Sequence, residues 1–193
     1  MYKERGIVMY LIVGLGNPEE DYAGTRHNMG FDTINKIAKE YDIQVTKKKF
    51  DGLCGTGTIK DQKVILLKPQ TFMNLSGKSI KQCMDFYKIK PDNLIIIYDD
   101  IDIEKGIVKV RKKGGPGTHN GMKSVIECIN STEFARVRVG IGMPEHKGDL
   151  INYVIGYVPE EEKHILDKAC EIAKKAVIEI LEYGIDIAMN KIN

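Results

Sequence analysis

His27 is the residue whose type and setting most invite chemistry in this chain. It stands in Thr25-Arg26-His27-Asn28, which opens an amphipathic stretch shortly after an apolar, β-branched run at 10–13 is stopped by Gly14-Leu15-Gly16-Asn17-Pro18. Glycines at the end of a strand allow substrate to approach the backbone closely, and an imidazole at the mouth of the next helix can reach the same point. The positive end of a helix disfavours the imidazolium and a nearby carboxylate favours it, so the balance can leave a base that works near neutral pH. A histidine there can equally well cap or pack. A second chemical cluster, Asp99-Asp100 and Asp102, follows the most apolar run of the chain, 94–98. Carboxylates at the carboxyl end of a central strand are where α/β proteins usually keep their chemistry. One of them could hold Mg²⁺ or orient a histidine, while others simply form turns.

Other stretches could build a ligand wall. Phe72 and Met73, read as exposed, would make a soft apolar clamp beside the amide of Asn74, although both also suit a core, and Asn74 or Ser76 suits the N-cap of the following helix. Lys112-Lys113-Gly114-Gly115-Pro116-Gly117-Thr118-His119-Asn120-Gly121 reads as a flexible loop entering a helix. Lysine-flanked glycines at a helix N-terminus suit phosphate, but no Walker pattern is present. A dinucleotide fingerprint fails as well, because Glu19 stands where GxGxxG needs its third glycine.

The elements that must position these residues follow from periodicity. Strands are expected at 10–13, 52–59, 64–68, 94–98, 107–111 and 136–141, the last closing the sheet, with a hairpin turn at 60–62. Helices are expected at 28–41, after the loop 69–77, at 122–129, at 148–156 as a short glycine-bounded flap, and at 159–183, with 185–193 a short tail. Lys47-Lys48-Lys49 reads as a solvated loop. Strands and helices alternate without repeats, which favours an α/β fold: a single three-layer α/β/α domain around a mixed twisted sheet, phosphorylase/hydrolase-like, over residues 9–193. Residues 1–8 read as an N-terminal extension, with Met9 a candidate start.

At 193 residues and 42% apolar composition the chain can bury one sizeable core. Cys54, Cys83, Cys128 and Cys170 lie far apart without ligand spacing and read as buried thiols in a reducing, cytoplasmic setting. No run reaches membrane-spanning length. Net charge is only +2, yet basic residues bunch at Lys109, Arg111, Lys112 and Lys113 and recur at Arg136 and Arg138, a sidedness that can attract a polyanion to one face.

Taken together, VGLGNP at 13–18, TRHN at 25–28, TFMNLSG at 71–77, DDIDIEKG at 99–106 and GTHNG at 117–121 resemble the bacterial peptidyl-tRNA hydrolase family over nearly the whole chain. The resemblance implies a cytoplasmic, monomeric, metal-free esterase with no cofactor, which cuts the bond between a peptide and the 3′ end of its tRNA. It places the general base on His27, the orienting carboxylate on Asp99, substrate-binding amides on Asn17, Asn74 and Asn120, and aromatic or apolar contacts on Tyr22, Phe72 and Met73. Lys109, Arg111, Lys112, Lys113, Arg136 and Arg138 would then meet phosphates of the acceptor stem. Thr118 and Pro116 depart from the family pattern and bear on loop mobility. The rival classes are an RNA-binding protein without catalysis, which would not need His27 and Asp99 together, and a metal-dependent phosphohydrolase built on His27, Asp99, Asp100 and Asp102.

Overall fold

The structure, a computed structural model, describes residues 8–193. Of the expected N-terminal extension, residues 1–7 therefore lie outside the described residues. The chain runs β1 (Met9–Gly14), α1 (Met29–Glu40), β2 (Lys47–Lys49), β3 (Gly52–Ile59), β4 (Gln62–Pro69), α2 (Ser76–Tyr87), β5 (Leu94–Asp100), β6 (Val108–Arg111), α3 (Asn120–Ile129), β7 (Ala135–Gly140), α4 (Leu150–Ile155), α5 (Glu160–Tyr183) and α6 (Ile185–Ile192). The seven strands form one mixed sheet in the order β2-β3-β4-β1-β5-β7-β6. β1 is parallel to both β4 and β5, and β5 to β7, whereas the outer pairs β2·β3, β3·β4 and β6·β7 are antiparallel. Successive side chains of β1 and β5 point to opposite faces, so each strand feeds both cores. Ile12, Ile95 and Ile97 pack on one side with α1 and α5; Leu11, Val13, Ile96 and Tyr98 pack on the other with α2 and α3. The expected α/β/α sandwich is what forms.

Tertiary context altered several local expectations. The run at 136–141 does not close the sheet: β7 is buried between β5 and β6, and the shorter β6 forms the edge. The tail after Gly184 is helical, and Asn193 at its end bonds both backbone groups of Val110 on that edge, Oδ1 accepting from the amide at 2.7 Å and Nδ2 donating to the carbonyl at 3.1 Å. The lysines at 47–49 form the opposite edge strand rather than a loop, with Lys49 Nζ 3.5 Å from the centroid of the Phe86 ring. Lysine on an edge strand discourages pairing with another chain. Neither Asn74 nor Ser76 caps α2: the cap position is Leu75, and Ser76 Oγ donates to the Met73 carbonyl at 2.8 Å. Among the described residues, no helix is long and apolar enough to cross a membrane.

One close approach fixes where the chemistry can sit. α1 crosses β1 so tightly that a Cβ on Gly14 would lie 2.1 Å from the Gly30 carbonyl oxygen, and one on Gly30 would lie 2.4 Å from the Leu15 nitrogen. Two bare glycines therefore let α1 begin directly over the carboxyl end of the central strands. Gly14→Ala is expected to destabilise the protein by about 3 kcal/mol through this overpacking, seen as a lower urea midpoint at unchanged m-value.

Candidate active site

β1 and β5 are parallel neighbours, with Gly14 opposite Ile97, so the turn leaving β1 and the carboxylates ending β5 emerge side by side. The Leu15 amide donates to the Ile97 carbonyl at 2.9 Å and extends this pairing beyond the strand. Arg26–Asn28 form a single 3-10 turn before α1. His27 thereby meets Asp99 across 72 positions of sequence: Nδ1 lies 3.0 Å and 2.9 Å from the two carboxylate oxygens. The Asp99 side chain is only 2% exposed and that of His27 12%.

A second imidazole completes the arrangement. His119, the N-cap of α3, accepts the Met122 amide on Nδ1 at 3.3 Å and faces Asp99 Oδ1 with Nε2 at 3.1 Å. Because Nδ1 acts as acceptor, the proton sits on Nε2 and is donated to Asp99, and both ring nitrogens are occupied. His27 differs. Its Nδ1–H is taken by Asp99, which leaves Nε2 with the lone pair. Burial works against the His27 imidazolium, but the charge of Asp99 and its hydrogen bond outweigh this and hold the pKa above the ordinary 6.5. Burial likewise works against the Asp99 carboxylate, and the facing imidazoles His27 and His119 overcome it, holding its pKa well below the usual range. His119 was not singled out from the sequence. The signal available was the repeated His-Asn pair, 27–28 and 119–120, each entering a helix after glycine.

Asn17 is 8% exposed and ties the neighbouring loops together. Its backbone N–H donates to Asn28 Oδ1 at 2.8 Å, its carbonyl accepts from Asn28 Nδ2 at 3.0 Å, and its side-chain Oδ1 accepts the Met73 amide at 3.1 Å. That last bond fixes the side-chain orientation and leaves Nδ2 as a donor. Asn28 is the second residue missed from the sequence. Asn74 and Asn120 are exposed, Asn74 in the 3-10 turn Met73–Leu75 and Asn120 at the start of α3, within 3.5 Å of Lys123 Nζ. Phe72 is 59% exposed, as expected for a ligand wall. Met73 is not: it is buried against the α2–α3 core, where Leu15 and Met122 also pack, so the expected clamp reduces to Phe72. Tyr22 is half-buried in the turn Glu20–Tyr22.

A cleft of about 390 Å³ opens beside the imidazoles. Its lining includes His27, Asp99, His119 and Asn120, the cations Arg111, Lys113 and Arg138, and Leu150, Ile151 and Val154 of α4 as an apolar wall. Asn17, Tyr22, Phe72, Met73 and Asn74 are not part of this lining; they belong to the loops after β1 and β4. Not every expected cation is free. Arg136 also borders the cleft, but it is 2% exposed and spends its guanidinium on the Gly115 carbonyl at 2.6 Å and the Thr132 carbonyl at 3.1 Å, so it pins the glycine loop rather than meeting phosphate. Lys109 lies outside the lining, its ammonium on the Asn193 carbonyl at 2.9 Å. Arg138 Nε donates to Asp100 Oδ2 at 2.7 Å, and Asp100 Oδ1 accepts the Asp102 amide at 2.9 Å, so Asp100 serves as an ion-pair partner and turn former. The donor atoms of His27, Asp99 and His119 fall within 4.8 Å of one another. Two imidazoles and a carboxylate suit a transition metal by ligand type, but here both imidazoles make hydrogen bonds to the carboxylate.

The parallel-centred α/β/α sandwich thus sets an imidazole–carboxylate pair at the carboxyl end of its middle strands, where α/β proteins usually keep their ligand sites. Residues 11–193 match the family model for peptidyl-tRNA hydrolase. The peptidyl-tRNA hydrolase of Caldanaerobacter subterraneus subsp. tengcongensis is 52% identical over 96% of this chain and 100% of its own length, and that of Clostridium novyi is 51% identical over 96% and 98%. The crystal structure of peptidyl-tRNA hydrolase from Acinetobacter baumannii superposes with a TM-score of 0.90 at 38% identity, covering 96% of this chain and 94% of that one. A uridine phosphorylase from Vibrio fischeri shares the fold alone, with a TM-score of 0.50 at 11% identity. The chain belongs to the peptidyl-tRNA hydrolase family.

The pair should also be visible in stability. A histidine whose folded pKa lies above its unfolded value contributes stability that is complete below about pH 6.5 and is lost as pH rises through the folded pKa; a depressed carboxylate contributes above its unfolded value of about 3.8. The gap in unfolding free energy between wild type and Asp99→Asn is therefore expected to be widest from about pH 4 to 6.5 and to narrow above it, as measured by urea denaturation across pH.

Proposed function

We propose that this protein hydrolyses the ester bond between a peptide, or an N-blocked aminoacyl group, and the 3′ end of tRNA, acting in the cytoplasm as a monomer and without a metal. The observation that supports this reading most is the His27–Asp99 pair, which leaves one imidazole nitrogen, His27 Nε2, as an available base. That nitrogen takes a proton from water as the water attacks the ester carbonyl. The carbonyl electron pair moves onto oxygen, and the resulting imidazolium is stabilised by Asp99 beside it. Collapse of the tetrahedral intermediate expels the ribose oxygen, which takes the proton back from His27. Asn74, an exposed neutral amide, is the candidate oxyanion donor.

Selectivity for a blocked amine follows from Asn17. With Oδ1 held by the Met73 amide, only the Nδ2 donor remains, and it pairs with a peptide carbonyl but not with the ammonium of a free amino acid. Asn120 is the second candidate clamp, and Phe72 and Tyr22 are candidate surfaces for the unpaired 3′ bases. Arg111, Lys113 and Arg138 line the cleft and would meet acceptor-stem phosphates.

His27→Ala is expected to lower turnover of N-acetyl-aminoacyl-tRNA by roughly 10²- to 10⁴-fold, and Asp99→Asn to slow it with little change in binding. Equal rates for wild type and His27→Ala would eliminate the hydrolytic reading of this site, and loss of activity in EDTA would favour the metal alternative. Lys113→Ala is expected to weaken tRNA binding and flatten its salt dependence by about one unit of log–log slope, while leaving hydrolysis of a small ester mimic intact.

A further inference from the structure

Arg26 directly precedes His27 and is almost fully buried, 6% exposed, yet it does not touch the His27–Asp99–His119 cluster. Its guanidinium turns toward α4. Nη1 donates to the Tyr153 carbonyl at 3.2 Å and reaches the Tyr157 carbonyl at 3.5 Å; Nη2 donates to Glu162 Oε2 at 2.9 Å; and the guanidinium carbon lies 4.1 Å from the centroid of the Tyr153 ring. Glu162, near the start of α5, also receives Lys105 at 2.5 Å. The backbone repeats the connection: the Arg26 amide donates to the Gly156 carbonyl at 3.3 Å, the Val158 amide to the Gly24 carbonyl at 3.0 Å, and Thr25 bridges Tyr157. Tyr153 is in turn fastened to the end of the sheet, its hydroxyl donating to the Ile141 carbonyl at 2.5 Å.

The apolar hold on α4 is thin: none of its residues is fully buried, Ile151 is 72% exposed, and only Tyr153 and Val154 pack partly against the core. Yet Leu150, Ile151 and Val154 form a wall of the cleft that His27 enters. We propose that Arg26 is a positioning residue for the hydrolysis: through Tyr153 and Glu162 it holds α4 at a set distance from the turn that carries His27, and so sets the width of the cleft. A planar fork that stacks on a ring while bonding carbonyls and a carboxylate at once is a task for arginine and not for lysine.

This inference rests on the cleft being where tRNA lies. With N-acetyl-aminoacyl-tRNA as substrate, Arg26→Lys and Tyr153→Leu are each expected to raise KM about tenfold with kcat within about threefold of wild type, and the double variant to be no worse than the weaker-binding single. In both variants the amides of Leu150–Ile155 should exchange hydrogen faster while those of Met29–Glu40 keep their protection. A purely structural role would instead reduce the amount of active enzyme, lowering apparent kcat at constant KM, and that result, strictly additive effects, or unchanged kinetics would overturn the proposal. Should Arg26→Lys fail to fold, Tyr153→Leu, on a helix with no buried residue, decides alone. An error in the cleft reading shows up elsewhere, as a Lys113→Ala variant with unaltered tRNA affinity and salt dependence, whereas an error about Arg26 leaves the Lys113 effect in place.

Discussion

The constraint on which the site depends is the burial of the Asp99 carboxylate. A charge sealed this far from water is tolerated only where it is paired and hydrogen-bonded. Asp99 receives N–H groups from two neighbouring imidazoles whose ring centroids lie 4.9 Å apart, His27 from the turn before α1 and His119 from the start of α3. That satisfaction fixes the tautomer of each ring, and with it the division between them. One ring is spent on both nitrogens and serves as a brace; the other keeps a lone pair. Loss of the carboxylate would leave His27 Nδ1 and His119 Nε2 without this partner, while His119 would still cap α3 through the Met122 amide.

The placement of Asp99 is in turn a property of the sheet. Only a parallel β1–β5 pair brings the end of one strand and the turn after another to the same spot, and the Gly14–Gly30 contact then lets the helix dock low enough for its preceding turn to overhang that spot. The loops around it are cross-tied by side-chain amides as well as by the apolar packing of Leu15 and Met73. Asn17 and Asn28 lock to each other reciprocally, and Asn17 also holds the turn that displays Asn74. Polar ties of this kind are directional and hold a group in one orientation, where a hydrophobic contact would allow sliding.

Much of this was legible in the sequence, for identifiable reasons. Strands and helices with strong periodicity, such as 94–98 and 159–183, appear close to the expected bounds because burial and pattern agree. His27 and Asp99 were legible because glycine turns and a carboxylate-ended apolar run mark strand termini. Met73 stood open between ligand wall and core because its loop is short and apolar, and a single sequence does not show which of the two such a loop faces. Arg136 was misread because a cation on a strand looks exposed unless its carbonyl partners, here 4 and 21 positions away, are known. β7 was placed at the edge because chain order says nothing of spatial order, and 185–193 was read as a short tail with no helix assigned because its helix is stabilised by the edge strand beneath it.

The two rims of the sheet are blunted in different ways, one by lysines with Lys49 stacked on Phe86, the other by Asn193 bonding Val110 much as a neighbouring strand would. For an enzyme of this family the consequence reaches beyond solubility. The acyl group carried by a peptidyl-tRNA is a peptide, and an extended peptide is the shape that adds itself to a bare strand by β-augmentation. Rims blunted in this way make that addition less favourable for any extended chain released beside the sheet.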